Sequence, residues 1–265
     1  MKENSKMNGL FVPLITPFYQ GDFDVASMKK LVGILQNSVD GVIPCLSSGE
    51  GGKLSDLEWQ KIVETVCKTT TKPVFAGILR DTEQKCLALI KKSNWLPCEG
   101  IVIPTLYDYE EKNLKFVKRA CNLSKKSIIV YNTEKHPFRS VEVIMKIDKF
   151  PNIVAVKDSS MDMIFLKKLL TLKRRGKLRL SIFQGMEHLL LPSQGCDGYI
   201  LSLLNTESKL CATVFKKTNT QNNKKMHKVF WEQNLGGNWY TTLKGILYER
   251  GIIRSAEEIR PPIKP

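Results

Sequence analysis

Residues 152–160 read NIVAVKDSS, and within them Ile153, Val154, Ala155 and Val156 form a run with no polar alternate position. That is the pattern of a strand buried on both faces. Seven more short runs of the same kind occur: LFVPLI from 10, GVIPCL from 41, PVFAGI from 73, GIVIPT from 100, SIIVYN from 127, RLSIFQ from 179 and GYILSL from 198. Segments with helical periodicity lie between them, such as DVASMKKLVGILQNSV and SDLEWQKIVETVCKTT. The latter opens with Ser55 and Glu58 at capping-box spacing. Doubly buried strands alternating with amphipathic helices imply an α/β fold, a parallel sheet covered by helices, with each unit about 25 to 30 residues long. Eight such units favour closure into a (β/α)8 TIM barrel over an open doubly wound sheet, and no G-x-G-x-x-G follows the first strand.

After the eighth run, WYTTLKGILYERGI and its surroundings read as extra helices rather than another barrel unit. The expected division is residues 1–207 as the barrel and 208–265 as the last barrel helix with a short C-terminal helical extension. No Gly-, Ser- or Pro-rich linker separates them, so the extension is expected to pack on the barrel.

At 265 residues and 42% hydrophobic content the chain can build one full-sized domain. Seven cysteines are scattered with no C-x-x-C pair, which suggests neither a disulfide framework nor a zinc site and points to a reducing compartment. His136, His188 and His227 are too dispersed to propose a metal site, although His188 lies where it could face a pocket. The opening MKENSKMNGLFVPLITPF has a short apolar run interrupted by Pro13 and no small-residue cleavage site. No segment approaches the roughly 18 apolar residues a membrane span needs, so a cytoplasmic protein is expected. The formal charge of +15 raises a nucleic-acid or anionic-membrane partner. The densest basic cluster, LKRRGKLR at 172–179, lacks interleaved aromatics and reads as a solvated helix end, so neither partner is expected. A positive field would also gather an anionic substrate.

A (β/α)8 barrel keeps its chemistry at the C-terminal ends of its strands. That rule selects SSGEGG at 47–52, Tyr131 with Asn132, Lys157, QGMEH at 184–188, and Ser202 with Asn205. Taking an ammonium out of water is costly, so a lysine ending a buried strand is expected to have a lowered pKa and nucleophilic character. Lys157 would then attack the keto carbon of a 2-oxo acid and form an imine. The alternative is a lysine that snorkels to the barrel rim. Tyr131 can shuttle the protons of such chemistry, or be a strand-end tyrosine with a wet tip, and Tyr107 carries the same two readings. Ser47, Ser48 and Gly49, with Glu50, Gly51 and Gly52, form a turn able to wrap a carboxylate, or an ordinary Gly-rich connection.

These residues together resemble the dihydrodipicolinate synthase and N-acetylneuraminate lyase family, the class I pyruvate-dependent aldolases. PLITPFYQGDFDVASMKKLV is similar to the family's opening, and SSGEGGKLSDLE resembles its G-x-x-G-E loop, with Leu46 where the first glycine is usual. IIVYN resembles the Y-N motif, VAVKDSS the Schiff-base lysine strand, CDGYILSLLN the last barrel strand, and LKGILYERGI with IRPPIKP the family's ending. The resemblance implies Lys157 as the imine lysine, Tyr131 as acid and base, and Ser47 and Ser48 as binders of the pyruvate carboxylate, Ser47 also in a proton relay. Ser159, Gly185, Glu187 and Ser202 fall where lyase-type members contact the second substrate. In YNTEKHPFRS the usual proline is displaced, leaving Arg139 as the candidate for the aldehyde's carboxylate. In PTLYDY, Leu106 stands where a relay tyrosine is expected and Tyr107 is the substitute. The implied activity is a dihydrodipicolinate synthase-like lyase acting on pyruvate and an aldehyde, with no metal and no cofactor, in a homotetramer or homodimer. The alternatives are an N-acetylneuraminate or 2-keto-3-deoxy-sugar-acid aldolase and, in another class, a non-catalytic basic binding or regulatory barrel.

Overall fold

The computed structural model describes residues 7–233 and 239–256. The IRPPIKP ending and the first six residues of the opening segment lie outside the described residues. Eight strands occur where the apolar runs place them: β1 (Gly9–Pro13), β2 (Gly41–Ile43), β3 (Phe75–Gly77), β4 (Gly100–Pro104), β5 (Ser127–Asn132), β6 (Ile153–Asp158), β7 (Ser181–Gln184) and β8 (Gly198–Ile200). Neighbouring strands pair in parallel in chain order, and β8 pairs with β1. The ring closes between β2 and β3 through a Val42–Val74 bridge and a 2.8 Å hydrogen bond from the Gly77 N–H to the Pro44 carbonyl.

The strands are apolar on both faces because they bury both. Inside the barrel each contributes one residue, Phe11, Ile43, Phe75, Val102, Ile129, Ala155, Phe183 and Ile200 in order, to a compact plug. Phe11 meets Phe75 and Phe183 edge to face, with ring centroids 6.0 and 5.5 Å apart. Those rings occupy the space of absent side chains: a Cβ on Gly41 would stand 2.2 Å from the Phe11 ring, and one on Gly198 2.5 Å from the Phe183 ring. Ala155 is the small member of the plug and lies two residues before Lys157 on the same face of β6.

The outer faces of the strands pack on helices α1 (Val25–Leu35), α2 (Asp56–Thr69), α3 (Glu83–Ser93), α4 (Glu110–Leu123), α5 (Val141–Ile147), α6 (Met163–Arg174) and α7 (Leu204–Lys216). The capping box at the start of α2 is formed, with the Ser55 hydroxyl accepting from the Glu58 N–H and the Glu58 carboxylate accepting from the Ser55 N–H. Trp59 on α2 is fully buried and donates its indole N–H to the Gly77 carbonyl at 2.8 Å. The basic cluster at 172–179 spans the end of α6 and the turn after it, where Arg179 donates to the Asp148 and Phe150 carbonyls at 2.7 and 3.0 Å.

Among the described residues two helices follow the barrel, α8 (Thr220–Glu232) and α9 (Trp239–Glu249). They turn back over the C-terminal ends of the strands, α8 against residues 187–189 and α9 against residues 47–49. α9 is fastened by a buried ion pair, Lys244 Nζ to Glu50 Oε1 at 2.5 Å, with the same ammonium 5.1 Å from the Phe18 ring. Beyond α9, Arg254 grips Asp24, the N-cap of α1, through two hydrogen bonds of 2.7 and 2.9 Å. Among the described residues no helix is long and apolar enough to cross a membrane.

Candidate active site

β5 and β6 end side by side, and their register sets Tyr131 opposite Lys157. Both side chains point inward, above Ile129 and Ala155, and the Lys157 Nζ lies 4.1 Å from the centre of the Tyr131 ring. Lys157 is only 5% exposed, and among the described residues it forms no ion pair. The face of an aromatic ring attracts a cation, so the ring seats this nitrogen without a carboxylate. On the opposite face of the same strands Asn132 donates to the buried Asp158 carboxylate at 2.8 Å and accepts from the Phe138 N–H at 2.6 Å. Burial pushes the Asp158 carboxyl up, against hydrogen bonds from Ser160 and Asn132 that pull it down. This outward lock holds the two strand ends in register.

Residues 47–52 form the second wall. Ser47 to Gly49 make one tight turn and Gly51 to Lys53 another, with Glu50 between them in the left-handed region at φ 56°. The N–H groups of Gly49, Glu50 and Gly51 are spent on the Leu46 and Ser47 carbonyls at 3.0 to 3.1 Å. Those of Ser47 and Ser48 have no partner among the described residues, so two donors remain for an anion. The Ser48 hydroxyl sits 2.8 Å from the Ser202 hydroxyl and accepts from the Trp239 indole at 3.2 Å. Gly49 is buried, its carbonyl accepting from the Thr16 hydroxyl at 2.7 Å, and it backs the turn rather than lining the space in front of it.

That space is a cavity of about 400 Å³. Lys157, Tyr131, Ser47, Ser48 and Ser202 all face it. Ser159, Gly185 and Glu187 complete its floor. The Ser159 hydroxyl is buried with no partner among the described residues, a donor and acceptor available to a ligand. Gly185 leaves room for the lysine: a Cβ there would stand 2.6 Å from Lys157 Cε and 2.1 Å from Ser159 Oγ. Glu187 is 5% exposed and accepts from the Leu203 N–H at 3.1 Å. Burial pushes its carboxyl up, opposed by that hydrogen bond and by the charge of Lys157. His188 also lines the cavity, its pKa lowered by burial and by His227.

Tyr107 and Arg139, the candidates for the relay and for the aldehyde's carboxylate, are not brought to the cavity. Tyr107 donates its hydroxyl to Glu83 at 2.7 Å, a bond that, with burial, raises its pKa, and its ring does not line the site. Arg139 is exposed; its backbone N–H is held by Glu110 and its guanidinium stands away from the cavity. Conversely, Met161, Phe230, Trp231 and Trp239 line it without having been selected. The last three arrive on α8 and α9, for which no strand-end rule gives a signal. Among the described residues no group of three His, Cys, Asp or Glu side chains could hold a metal ion.

A closed (β/α)8 barrel with a buried lysine, a facing tyrosine and an anion-receptive turn at one rim defines a barrel enzyme of the lyase and aldolase class. The chain belongs to the dihydrodipicolinate synthetase family, whose model matches residues 6–265. It is 29% identical over 238 residues to 4-hydroxy-tetrahydrodipicolinate synthase 2 of Clostridium acetobutylicum, covering 86% of this chain and 82% of that one. Solved structures share the fold. CdNal from Clostridium difficile, in complex with mannosamine, superposes with a TM-score of 0.85 at 21% identity, covering 98% of this chain and 94% of that one. Proteus mirabilis N-acetylneuraminate lyase gives a TM-score of 0.86 at 17% identity, with the same two coverages.

Proposed function

We propose that this protein is a pyruvate-dependent carbon–carbon lyase of the dihydrodipicolinate synthase type, working through an imine on Lys157. The observation that carries the proposal is a lysine 5% exposed, without an ion-pair partner among the described residues, seated on the Tyr131 ring at the floor of a ligand-sized cavity. The neutral amine adds to C2 of pyruvate, and loss of water leaves a protonated imine. Its positive charge draws electrons from C3, so a C3 proton leaves and an enamine forms. The enamine carbon bonds to the carbonyl carbon of an aldehyde, whose oxygen takes a proton. Water then cleaves the imine, releases a 4-hydroxy-2-oxo acid and restores Lys157. Each step is reversible, so the same residues serve cleavage.

Tyr131 is the proton carrier for these steps, its ring face opposing the cationic imine nitrogen. The Ser47 and Ser48 N–H groups and hydroxyls receive the pyruvate carboxylate. Ser159, Gly185, Glu187 and Ser202 surround the aldehyde carbon. The reaction calls on no metal or cofactor, and the seven free thiols agree with a reducing, cytoplasmic setting. The family membership and the intact lysine and tyrosine pair favour an enzyme over a basic binding barrel. An assembly into dimers or tetramers is part of the same proposal.

Pyruvate with borohydride tests it. A reduced three-carbon adduct on the Lys157 peptide, seen by mass spectrometry and lost in Lys157→Arg, is expected. Unmodified protein after treatment with several 2-oxo acids would sink the proposal.

A further inference from the structure

The two halves of the cavity differ in chemistry. The inner half, on the strand ends, is polar: Ser47, Ser48, Ser159, Glu187 and Ser202 around Lys157. The outer half is thioether and aromatic, built from Met161, Met186, Phe230, Trp231 and Trp239. Among the described lining residues Lys157 is the only Lys or Arg, and the imine consumes it. The other basic group, His188, is held towards its neutral form by burial and by His227, with Glu134 opposing. Two carboxyl groups, Glu134 and Glu187, face the same space. A second carboxylate arriving with the aldehyde would therefore meet acids and find no cation in a partly dry site.

The outer half is also unfinished as an apolar surface. Trp231 is 66% exposed and Met161 45% exposed, both at the cavity. Phe230 stands edge to face with Trp231, centroids 5.2 Å apart, and Trp239 is fixed by its bond to Ser48. Met161 takes a left-handed backbone, φ 62°, four residues after Lys157. A non-glycine residue in that region is strained, a feature found at ligand clamps. Exposed side chains of this size beside a reactive group are covered when a ligand of matching character binds.

We infer that the aldehyde partner of this enzyme is uncharged and carries an aromatic or bulky apolar body, which Met161, Phe230, Trp231 and Trp239 enclose. The inference rests on the imine chemistry proposed above. Pyruvate and R-CHO combine with no atom lost and no oxidant: the C3 proton leaves, a C3–C4 bond forms, and the aldehyde oxygen becomes the C4 hydroxyl, within reach of the inner polar ring. The product is a 2-oxo acid with a 4-hydroxyl and an apolar group on C4. The enzyme distinguishes aldehydes by side chains of α8, of the start of α9 and of the loop after β6, which take no part in bond making.

The test measures kcat/KM at saturating pyruvate for benzaldehyde, aspartate semialdehyde and erythrose, an apolar, a charged and a polyol aldehyde, on the full-length protein. Benzaldehyde is expected to lead by about 100-fold over aspartate semialdehyde. Trp231→Ala, at an exposed position that the fold tolerates, is expected to lower the benzaldehyde value about tenfold and narrow the preference. Borohydride trapping with pyruvate alone runs beside it. If the adduct forms and either polar aldehyde leads, or none of the three turns over, this inference falls and the imine chemistry stands. If no adduct forms, both fall.

Discussion

Tyr131 and Lys157 face each other across adjacent parallel strands, the lysine nitrogen 4.1 Å from the centre of the phenol ring. The tyrosine thus offers two separable things, a ring face for a cation and a hydroxyl for a proton.

Tyr131→Phe keeps the face and removes the hydroxyl. It should lower kcat by about 10² to 10³ while borohydride still traps pyruvate on Lys157 after long incubation. Tyr131→Leu removes both and should slow trapping further. Time courses of adduct formation by mass spectrometry separate the two, and equal trapping rates would remove the role assigned to the ring face.

Gly185→Ala would push a methyl into Lys157 Cε and Ser159 Oγ. The two nearest atoms belong to side chains that can yield, with the Asp158 carbonyl oxygen behind them at 3.2 Å, so the expected stability loss is about 1–3 kcal/mol by urea unfolding. Activity should fall about 100-fold, because displacing the nucleophile by an ångström is enough. A variant that keeps full kcat/KM would show that Lys157 needs no such space.

Lys244→Met leaves the buried Glu50 carboxylate without its close ion pair, keeping the longer contact to Lys53 at 4.0 Å, and should cost about 3 kcal/mol. Combining it with Glu50→Gln should recover most of that loss, since two neutral groups no longer demand one another. Urea midpoints of the single and double variants give the coupling; strict additivity would rule out the pair as a unit.

Burial alone would raise the Asp24 carboxyl, but the hydrogen bonds from Arg254 and Ser27 win and hold it down to about 2. A carboxyl with a depressed folded pKa binds fewer protons folded than unfolded, so its contribution is complete above about pH 4, near the ordinary Asp value, and disappears as pH falls through about 2. Asp24→Asn should flatten that acid limb while lowering stability at neutral pH by about 1 kcal/mol through the weakened N-cap. Unfolding midpoints from pH 5 to pH 2 would show it, and parallel limbs in the two proteins would contradict it.

The barrel was legible because a doubly buried strand must be apolar at every position, and that demand writes itself into eight short runs. Lys157 stood out for the same reason, as a charge ending such a run, and Ser55 with Glu58 because a capping box is local. The pair Lys244 and Glu50 left no trace, since its members are 194 residues apart and neither sits in a pattern that forbids charge. Phe230, Trp231 and Trp239 were equally silent: on an amphipathic helix an aromatic that faces a cavity looks like one that faces a core. Tyr107 and Arg139 were drawn towards the site by analogy of position, but their loops hand them to Glu83 and to solvent.

The ion pair between Glu50 and Lys244 also orders events during synthesis. All eight strands and the turn bearing Ser47 and Ser48 leave the ribosome well before α9 does. Until that helix arrives, the Glu50 carboxylate lacks its close partner and keeps the longer contact to Lys53, 4.0 Å away, which disfavours enclosing it. The docking of α9 is therefore coupled to the closing of the turn that bears Ser47 and Ser48.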